Sequence, residues 1–317
     1  MLGRVLITRP MPDAVLEAAR AHFDVELRAS VEPLTADELR TALRDYNGVM
    51  PTLGDAFSAA VFGDVASPRA RVLANFGVGY NHIDAAAAQA AGLVVTNTPG
   101  AVTDATADIA LTLMLMSARR AGEGERLVRS GAWGGWHPTQ MLGLHLTGKT
   151  VGLIGMGRIG QAIAQRCRMG FGMQVLFYNR SDKAVEGAVQ VRSLKELAGR
   201  VDVLVVAVPG GAETHHLIDA EVLGAMQPHA HLVNIARGDV VDEAALIDAL
   251  ERRAIAGAGL DVYEFEPAVP DALRALETVT LLPHLGTAAE EVRVSMGLMA
   301  VENLRAVLAG EAPPNPV

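Results

Sequence analysis

Short continuous apolar runs alternate with longer amphipathic stretches from one end of the chain to the other. Val5–Thr8, Val25–Leu27, Gly48–Pro51, Val72–Asn75 and Val94–Asn97 have the length and composition of buried strands. Helical patterns, Asp13–Ala21 and Thr35–Leu43, follow the first two of them. The second predicts a capping box, in which Thr35 accepts from the backbone three residues on and Glu38 reaches back. This strand-helix rhythm belongs to a parallel sheet covered on both faces. A helix over Thr103–Arg129, most apolar at Ile109–Met116, then carries the chain onward. After a loop rich in Gly and Trp (residues 131–149) a second series begins. Its strands read Val151–Ile154, Val175–Tyr178, Val203–Val208, Leu232–Ile235, Gly259–Val262 and Val279–Leu282. Strands in that number with helices between them match a Rossmann-type fold. A last helix, Ala288–Leu308, is expected to open with another capping box, Thr287 with Glu290, and the tail 313–317 is expected to fray. No strand follows that helix, so it is expected to return to the first series.

The pattern predicts an α/β chain of two doubly wound parallel-sheet domains. The first is flavodoxin-like and discontinuous, residues 1–100 completed by the C-terminal helix in 287–317. The second, residues 101–286, is a dinucleotide-binding domain. A length of 317 residues suffices for two such cores. With 50% hydrophobic but only 4% aromatic residues, those cores must be built from Ala, Val, Leu, Ile and Met. A net charge of −9 argues against nucleic acid as a partner, because the surface repels phosphate. Ile109–Met116 is too short to span a bilayer, and Val5–Ile7 is too short for the apolar core of a signal peptide. Cys167 is the single cysteine, which excludes an internal disulfide and fits a reducing cytoplasm.

Gly155-Met156-Gly157-Arg158-Ile159-Gly160 is a G-x-G-x-x-G between a strand and an amphipathic helix. In that context the first glycine permits the tight turn, the second lets the backbone approach a pyrophosphate, and the third lets helix and strand pack. After the next strand an NAD-binding domain carries an acid for the ribose hydroxyls. Here the chain reads Tyr178-Asn179-Arg180-Ser181. A guanidinium can grip a 2′-phosphate in its planar fork, with Asn179 and Ser181 adding hydrogen bonds. The reading favours NADP (NADPH). NAD stays open as the weaker alternative, because Arg180 can also be a solvated loop residue.

Arg237, Glu266 and His284 each lie just beyond the end of a strand, where open α/β sheets bind their ligands. All three can therefore converge near a nicotinamide bound over that same edge. Other features have plainer readings. His215-His216 resembles a metal pair, but adjacent side chains are expected to point apart and no Cys pair or HExxH pattern accompanies them, so no metal is expected. Cys167 reads as core, Asp104 and Asp108 as acids suited to a helix N-terminus, and Trp133 and Trp136 as interface residues.

The stretches Asn75–Asp84 (NFGVGYNHID), Val151–Gly160 (VGLIGMGRIG), Asn234–Asp242 (NIARGDVVD), Gly259–Pro267 (GLDVYEFEP) and Pro283–Gly286 (PHLG) together resemble the D-isomer-specific 2-hydroxyacid dehydrogenase family. The resemblance is nearest to its glyoxylate/hydroxypyruvate reductase branch and covers essentially the whole chain. It implies that Arg237 binds the substrate carboxylate and polarises the carbonyl. His284 is the implied acid in reduction and base in oxidation, and Glu266 pairs with its imidazole. Leu53, Gly77, Val78, Gly79 and Trp136 are implied on the substrate side, with the N–H groups of Val78 and Gly79 receiving the carboxylate. Thr106, Val208, Pro209, Thr214, Ile235, Ala236, Asp261 and Gly286 are implied around the cofactor, beside the glycine loop, Arg237 and His284. A homodimer is expected, with Trp136 reaching the partner's substrate pocket. The alternative is that Trp136 packs on its own domain. A non-catalytic dinucleotide sensor or scaffold of the same fold is the rival to the enzyme, since such proteins can keep the same three residues.

Overall fold

In the first unit β1 (Arg4–Ile7), α1 (Asp13–His22), β2 (Asp24–Leu27), α2 (Ala36–Asp45), β3 (Gly48–Met50), α3 (Ala59–Gly63), β4 (Val72–Ala74), α4 (Ala85–Ala90) and β5 (Val94–Thr96) follow one another. The computed structural model describes residues 1–317. The strands form one parallel five-stranded sheet in the order β2-β1-β3-β4-β5. Alternation sends Leu6, Val49 and Leu73 to one face, with Leu39, Leu43 and Phe62 of α2 and α3. Val5, Ile7, Met50 and Val72 go to the other, with Val15 and Ala19 of α1. The Thr35–Glu38 capping box opens α2 as expected.

The second unit, Thr103–Thr287, starts with α5 (Thr103–Ala118) and α6 (Ala121–Arg129). Then come β6 (Thr150–Ile154), α7 (Arg158–Phe171), β7 (Gln174–Tyr178), β8 (Ala188–Gln190), α8 (Leu194–Ala198), β9 (Val203–Val206), α9 (Ala220–Ala225), β10 (His231–Asn234), α10 (Glu243–Glu251), β11 (Gly257–Leu260), α11 (Asp271–Ala275) and β12 (Val279–Leu281). The sheet has seven parallel strands in the order β12-β11-β10-β9-β6-β7-β8. Its extra strand, β8, has only three residues and none fully buried, so it carries no apolar run by which sequence could announce it. The order reverses at β6, the switch point beside which such sheets bind nucleotides.

The helix expected over Thr103–Arg129 is two helices. Arg120 takes a left-handed φ of 52°, and the carbonyl of Ala118 accepts the Leu144 N–H at 2.7 Å, which ends α5. Its apolar side is buried within the same unit. Ala107, Ala110, Leu113 and Met114 are fully buried in a core with Leu153, Ile163, Cys167 and Phe177 of the same unit. By contrast α6 buries no residue.

The chain returns to the first unit with α12 (Glu290–Ala309), whose Ala300, Leu304 and Leu308 cover the β1–β3–β4 face. The second capping box does not form. Ala289, not Thr287, is the residue that caps α12, and no side chain completes the cap. Nor does the tail fray. Asn97 N–H donates to the Asn315 carbonyl at 3.2 Å, Val317 N–H to the Val95 carbonyl at 3.1 Å, and Thr96 pairs antiparallel with Pro316. The tail covers the free edge of β5, which would otherwise leave backbone groups unpaired. No helix is long and apolar enough to cross a membrane.

Candidate active site

The glycine loop runs from the end of β6 into α7. Gly155 has φ +96°, and a Cβ there would sit 2.5 Å from the Ala207 carbonyl oxygen. A Cβ on Gly160 would collide with the carbonyl of Gly155, so the helix can lie this close only on glycine. Above Gly157 there is open space, with no atom within 4 Å of an added Cβ. Gly157 is also the N-cap of α7 and supplies no side-chain cap, which leaves the N–H groups of its first turn, at Arg158 and Ile159, to an anion. Free donors, a helix dipole and room for the ligand together fit the pyrophosphate of a dinucleotide.

Past β7, Asn179 braces this loop. Its Oδ1 accepts the Met156 N–H at 3.2 Å, and its amide donates to the Ser181 carbonyl at 2.9 Å and hydroxyl at 3.0 Å. Arg180 is exposed, and its guanidinium donates to the carboxylate of Glu213, from the segment between β9 and α9. Neither Glu213, 33 residues away, nor Lys183, whose Nζ donates to the Met156 carbonyl at 2.9 Å, carries a local sequence signature for this role. Val208, Pro209 and Thr214 lie on the same segment as Glu213, where the Thr214 hydroxyl donates to the Pro209 carbonyl at 2.8 Å.

The three charged residues hang from three adjacent strands. Arg237 follows β10 and is half-buried, and Nη1 donates to the Ala236 carbonyl at 2.6 Å. Ile235 and Ala236 before it are buried. Asn234, 1% exposed, holds the turn by donating to the Arg237 carbonyl at 2.9 Å and accepting the Ala236 N–H at 3.0 Å. Burial pulls the Arg237 pKa below its ordinary value, against the opposing charges of Glu266 and Asp239.

Glu266 and His284 meet directly, Oε2 to Nδ1 at 2.9 Å. The other carboxylate oxygen of Glu266 accepts the Tyr263 N–H at 3.0 Å. Burial pushes the Glu266 carboxyl up, but the bonds from His284 and Tyr263 and the charges of His284 and Arg237 outweigh it, and it lies below the usual carboxylate range. An ionised Glu266 accepts only, so Nδ1 of His284 carries the proton in that bond. Nε2 is then the nitrogen left for a substrate.

Behind His284 stands Asp261, 1% exposed. Its carboxylate accepts the N–H groups of Leu285 at 2.6 Å and Gly286 at 2.8 Å, and its carbonyl accepts the His284 N–H at 2.9 Å. Burial raises the Asp261 pKa, and the two N–H groups and the nearby imidazole oppose that only in part. The Thr106 hydroxyl donates to the Gly286 carbonyl at 3.1 Å. These bonds hold His284 at φ 54°, in the left-handed region that non-glycine residues seldom occupy.

The residues expected on the substrate side lie apart from these in the chain. Gly77, Val78 and Gly79 form the loop after β4. Asn75 donates to the carbonyls of Gly77 at 2.9 Å and Gly79 at 3.0 Å, and Asn97 to that of Val78 at 2.9 Å. With its carbonyls tied, the loop leaves the N–H groups of Val78 and Gly79 without a partner in the chain. Asn75 and Asn97 brace this loop, and no charge pattern marks them. Leu53, after β3, is 46% exposed. In the second unit Trp133 is 50% and Trp136 79% exposed.

The NAD binding domain pattern of the D-isomer specific 2-hydroxyacid dehydrogenases matches residues 111–286. The glyoxylate reductase of Thermococcus kodakarensis is 44% identical over 321 residues, spanning 99% of this chain and 96% of its own length. Among solved structures, a protein of Thermus thermophilus superposes with a TM-score of 0.92 at 43% identity, covering 99% of each chain. An NADPH-dependent glyoxylate/hydroxypyruvate reductase of Sinorhizobium meliloti, in complex with NADP and malonate, superposes at 0.88 with 37% identity over 100% of this chain and 97% of its own. The chain belongs to the D-isomer specific 2-hydroxyacid dehydrogenase family, in the branch that holds the glyoxylate reductases.

Proposed function

We propose that the protein reduces a small 2-keto acid, glyoxylate or hydroxypyruvate, to the D-2-hydroxy acid with NADPH. The observation that carries this reading is the Glu266–His284 pair, 2.9 Å between Oε2 and Nδ1, with Arg237 near enough to add its charge to the same carboxylate. The names of the relatives above support the same substrates. When bound at the glycine loop, the nicotinamide dinucleotide supplies the hydride that reaches the keto carbon. As charge grows on the carbonyl oxygen, Arg237 stabilises it and His284 Nε2 gives it a proton. Glu266 stays ionised and holds the resulting imidazole in orientation; in the oxidative direction the same nitrogen takes the proton back. The unpartnered N–H groups of Val78 and Gly79 are suited to a carboxylate.

NADPH is favoured because no acid stands at Asn179 and Arg180 beside it can pair with a 2′-phosphate. The Glu213 carboxylate competes for that guanidinium, which tempers the preference over NADH. We further infer a homodimer, in which Trp136 serves the partner's site; the exposed indoles and the unburied α6 support it. The single buried Cys167, its thiol pushed up to about 12 by burial, suits a reducing cytoplasm. Glyoxylate, hydroxypyruvate and pyruvate, each with NADPH and with NADH, should be compared by kcat/KM. Turnover of the first two, faster with NADPH, is expected. No turnover of any small 2-keto acid would leave a dinucleotide sensor.

A further inference from the structure

Beyond the triad, the second unit gathers His215, His216 and Glu264. One ligand atom from each lies within 4.8 Å of the others. The sequence alone argues that neighbouring histidines point apart, and in extended backbone they do. Here His216 has φ 50°, and this left-handed turn brings the two imidazoles onto one side, stacked with centroids 4.0 Å apart and planes at 26°. His216 Nε2 lies 2.9 Å from Glu264 Oε1.

The backbone holds these groups in place. His216 N–H donates to the Asp239 carbonyl at 2.8 Å, and Ile218 N–H to that of Val240 at 3.0 Å. Glu264 Oε2 faces the Glu243 N–H at 3.4 Å. A His216–Glu264 hydrogen bond explains those two residues as a brace between loops. It does not explain the second imidazole over the first. His215 is exposed and makes only the stacking contact.

We propose that His215, His216 and Glu264 form a binding site for a divalent transition metal of the zinc class. Two imidazoles and a carboxylate are the donor set of open tetrahedral zinc sites; imidazole nitrogens also suit Ni²⁺ and Cu²⁺, whereas Mg²⁺ and Ca²⁺ take oxygen ligands. Ligand atoms about 2.1 Å from a tetrahedral ion stand roughly 3.4 Å from one another. The His216–Glu264 spacing already approaches this, and the ligand atom of the exposed His215 lies within 4.8 Å of both. A bound ion would link the segment carrying Pro209 and Thr214 to the one carrying Tyr263 and Glu266. It would therefore stabilise the folded chain against heat, since unfolding separates its ligands. The site is separate from the reductase reading and stands whether or not that reading holds.

The test is calorimetric titration of the EDTA-treated, dialysed full-length protein with ZnCl₂, and with MgCl₂ for comparison. One Zn²⁺ bound per chain is expected, with a Tm that rises with ZnCl₂ and no response to MgCl₂. His215→Ala, which leaves the His216–Glu264 bond in place, should weaken Zn²⁺ at least about 10-fold. Its kcat without metal should be that of the unaltered protein. His145→Ala, at an exposed histidine elsewhere, should titrate like the unaltered protein. Absence of Zn²⁺ binding, an isotherm unchanged by His215→Ala, or an equal loss in His145→Ala would each overturn the proposal.

Discussion

Replacing Asp261 by Asn tests how the imidazole is held. Asp261 is a positioning residue for His284, and its carboxylate takes two backbone N–H groups, from Leu285 at 2.6 Å and Gly286 at 2.8 Å. A hydrogen bond to a charged group contributes about 1.5–3 kcal/mol. Asn keeps one acceptor oxygen but turns an NH₂ toward the other donor, so one of the two bonds is lost. The released loop has somewhere to go, because a left-handed φ at a non-glycine residue costs about 1–2 kcal/mol by itself. If only the held conformer reacts, a loss of about 1.5–3 kcal/mol lowers kcat roughly 10- to 150-fold. Thr106→Val removes only a neutral bond to the Gly286 carbonyl, worth about 0.5–1.5 kcal/mol, and should lower kcat about 2- to 10-fold. The assay is kcat at saturating keto acid and cofactor, with melting to confirm that each variant is folded. A folded Asp261→Asn that keeps kcat within about twofold, or a Thr106→Val that is the more damaging change, would show that Asp261 does not hold His284.

Arg180→Ala should weaken NADPH about 10- to 150-fold and barely touch NADH, whereas Glu213→Gln, which frees the guanidinium, should tighten NADPH; cofactor titrations that show no difference between the two dinucleotides would refute this. The buried pair of Ser117 and His231, Oγ to Nδ1 at 2.7 Å, predicts an acid weakness. Burial and then the charge of His229 lower the His231 pKa to about 4. The unfolded chain, with a histidine near 6.5, then binds more protons between about pH 6.5 and 4, so stability falls through that window as pH falls, by up to about 3 kcal/mol. His231→Gln should flatten that part of the urea-stability profile, and an unchanged slope would contradict it. For the dimer, mix a Trp136→Ala subunit with a His284→Ala subunit. Exchange should restore turnover if Trp136 serves the partner's site, and verified mixed dimers without recovery would defeat that reading.

What sequence could show was whatever has a local signature. The apolar runs marked the strands of both sheets except β8, and the Thr35–Glu38 box marked the start of α2. Features set by contacts between distant residues were hidden. Thr287 and Glu290 have the spacing of a cap, yet α12 starts from Ala289, after the turn that Asp261 and Thr106 hold at Gly286. The break at Arg120 follows from a bond between Ala118 and Leu144, and the ordered tail from pairing with β5. In the site, Arg237, Glu266 and His284 were legible because each follows a strand. Asn234, Glu213 and Lys183 were not, since they act by touching residues that only the fold brings near. The stacking of His215 on His216 depends on one backbone angle, which a dipeptide does not reveal.

In the proposed reaction His284 exchanges the proton with the substrate oxygen while Glu266 orients the imidazole. The most direct measurement compares the unaltered protein with His284→Gln in NADPH-driven glyoxylate reduction, with the Kd for NADPH measured alongside. A fall in kcat of about 10²- to 10⁴-fold is expected, with the NADPH Kd nearly unchanged. A His284→Gln protein that reduces glyoxylate at close to the unaltered rate would contradict it.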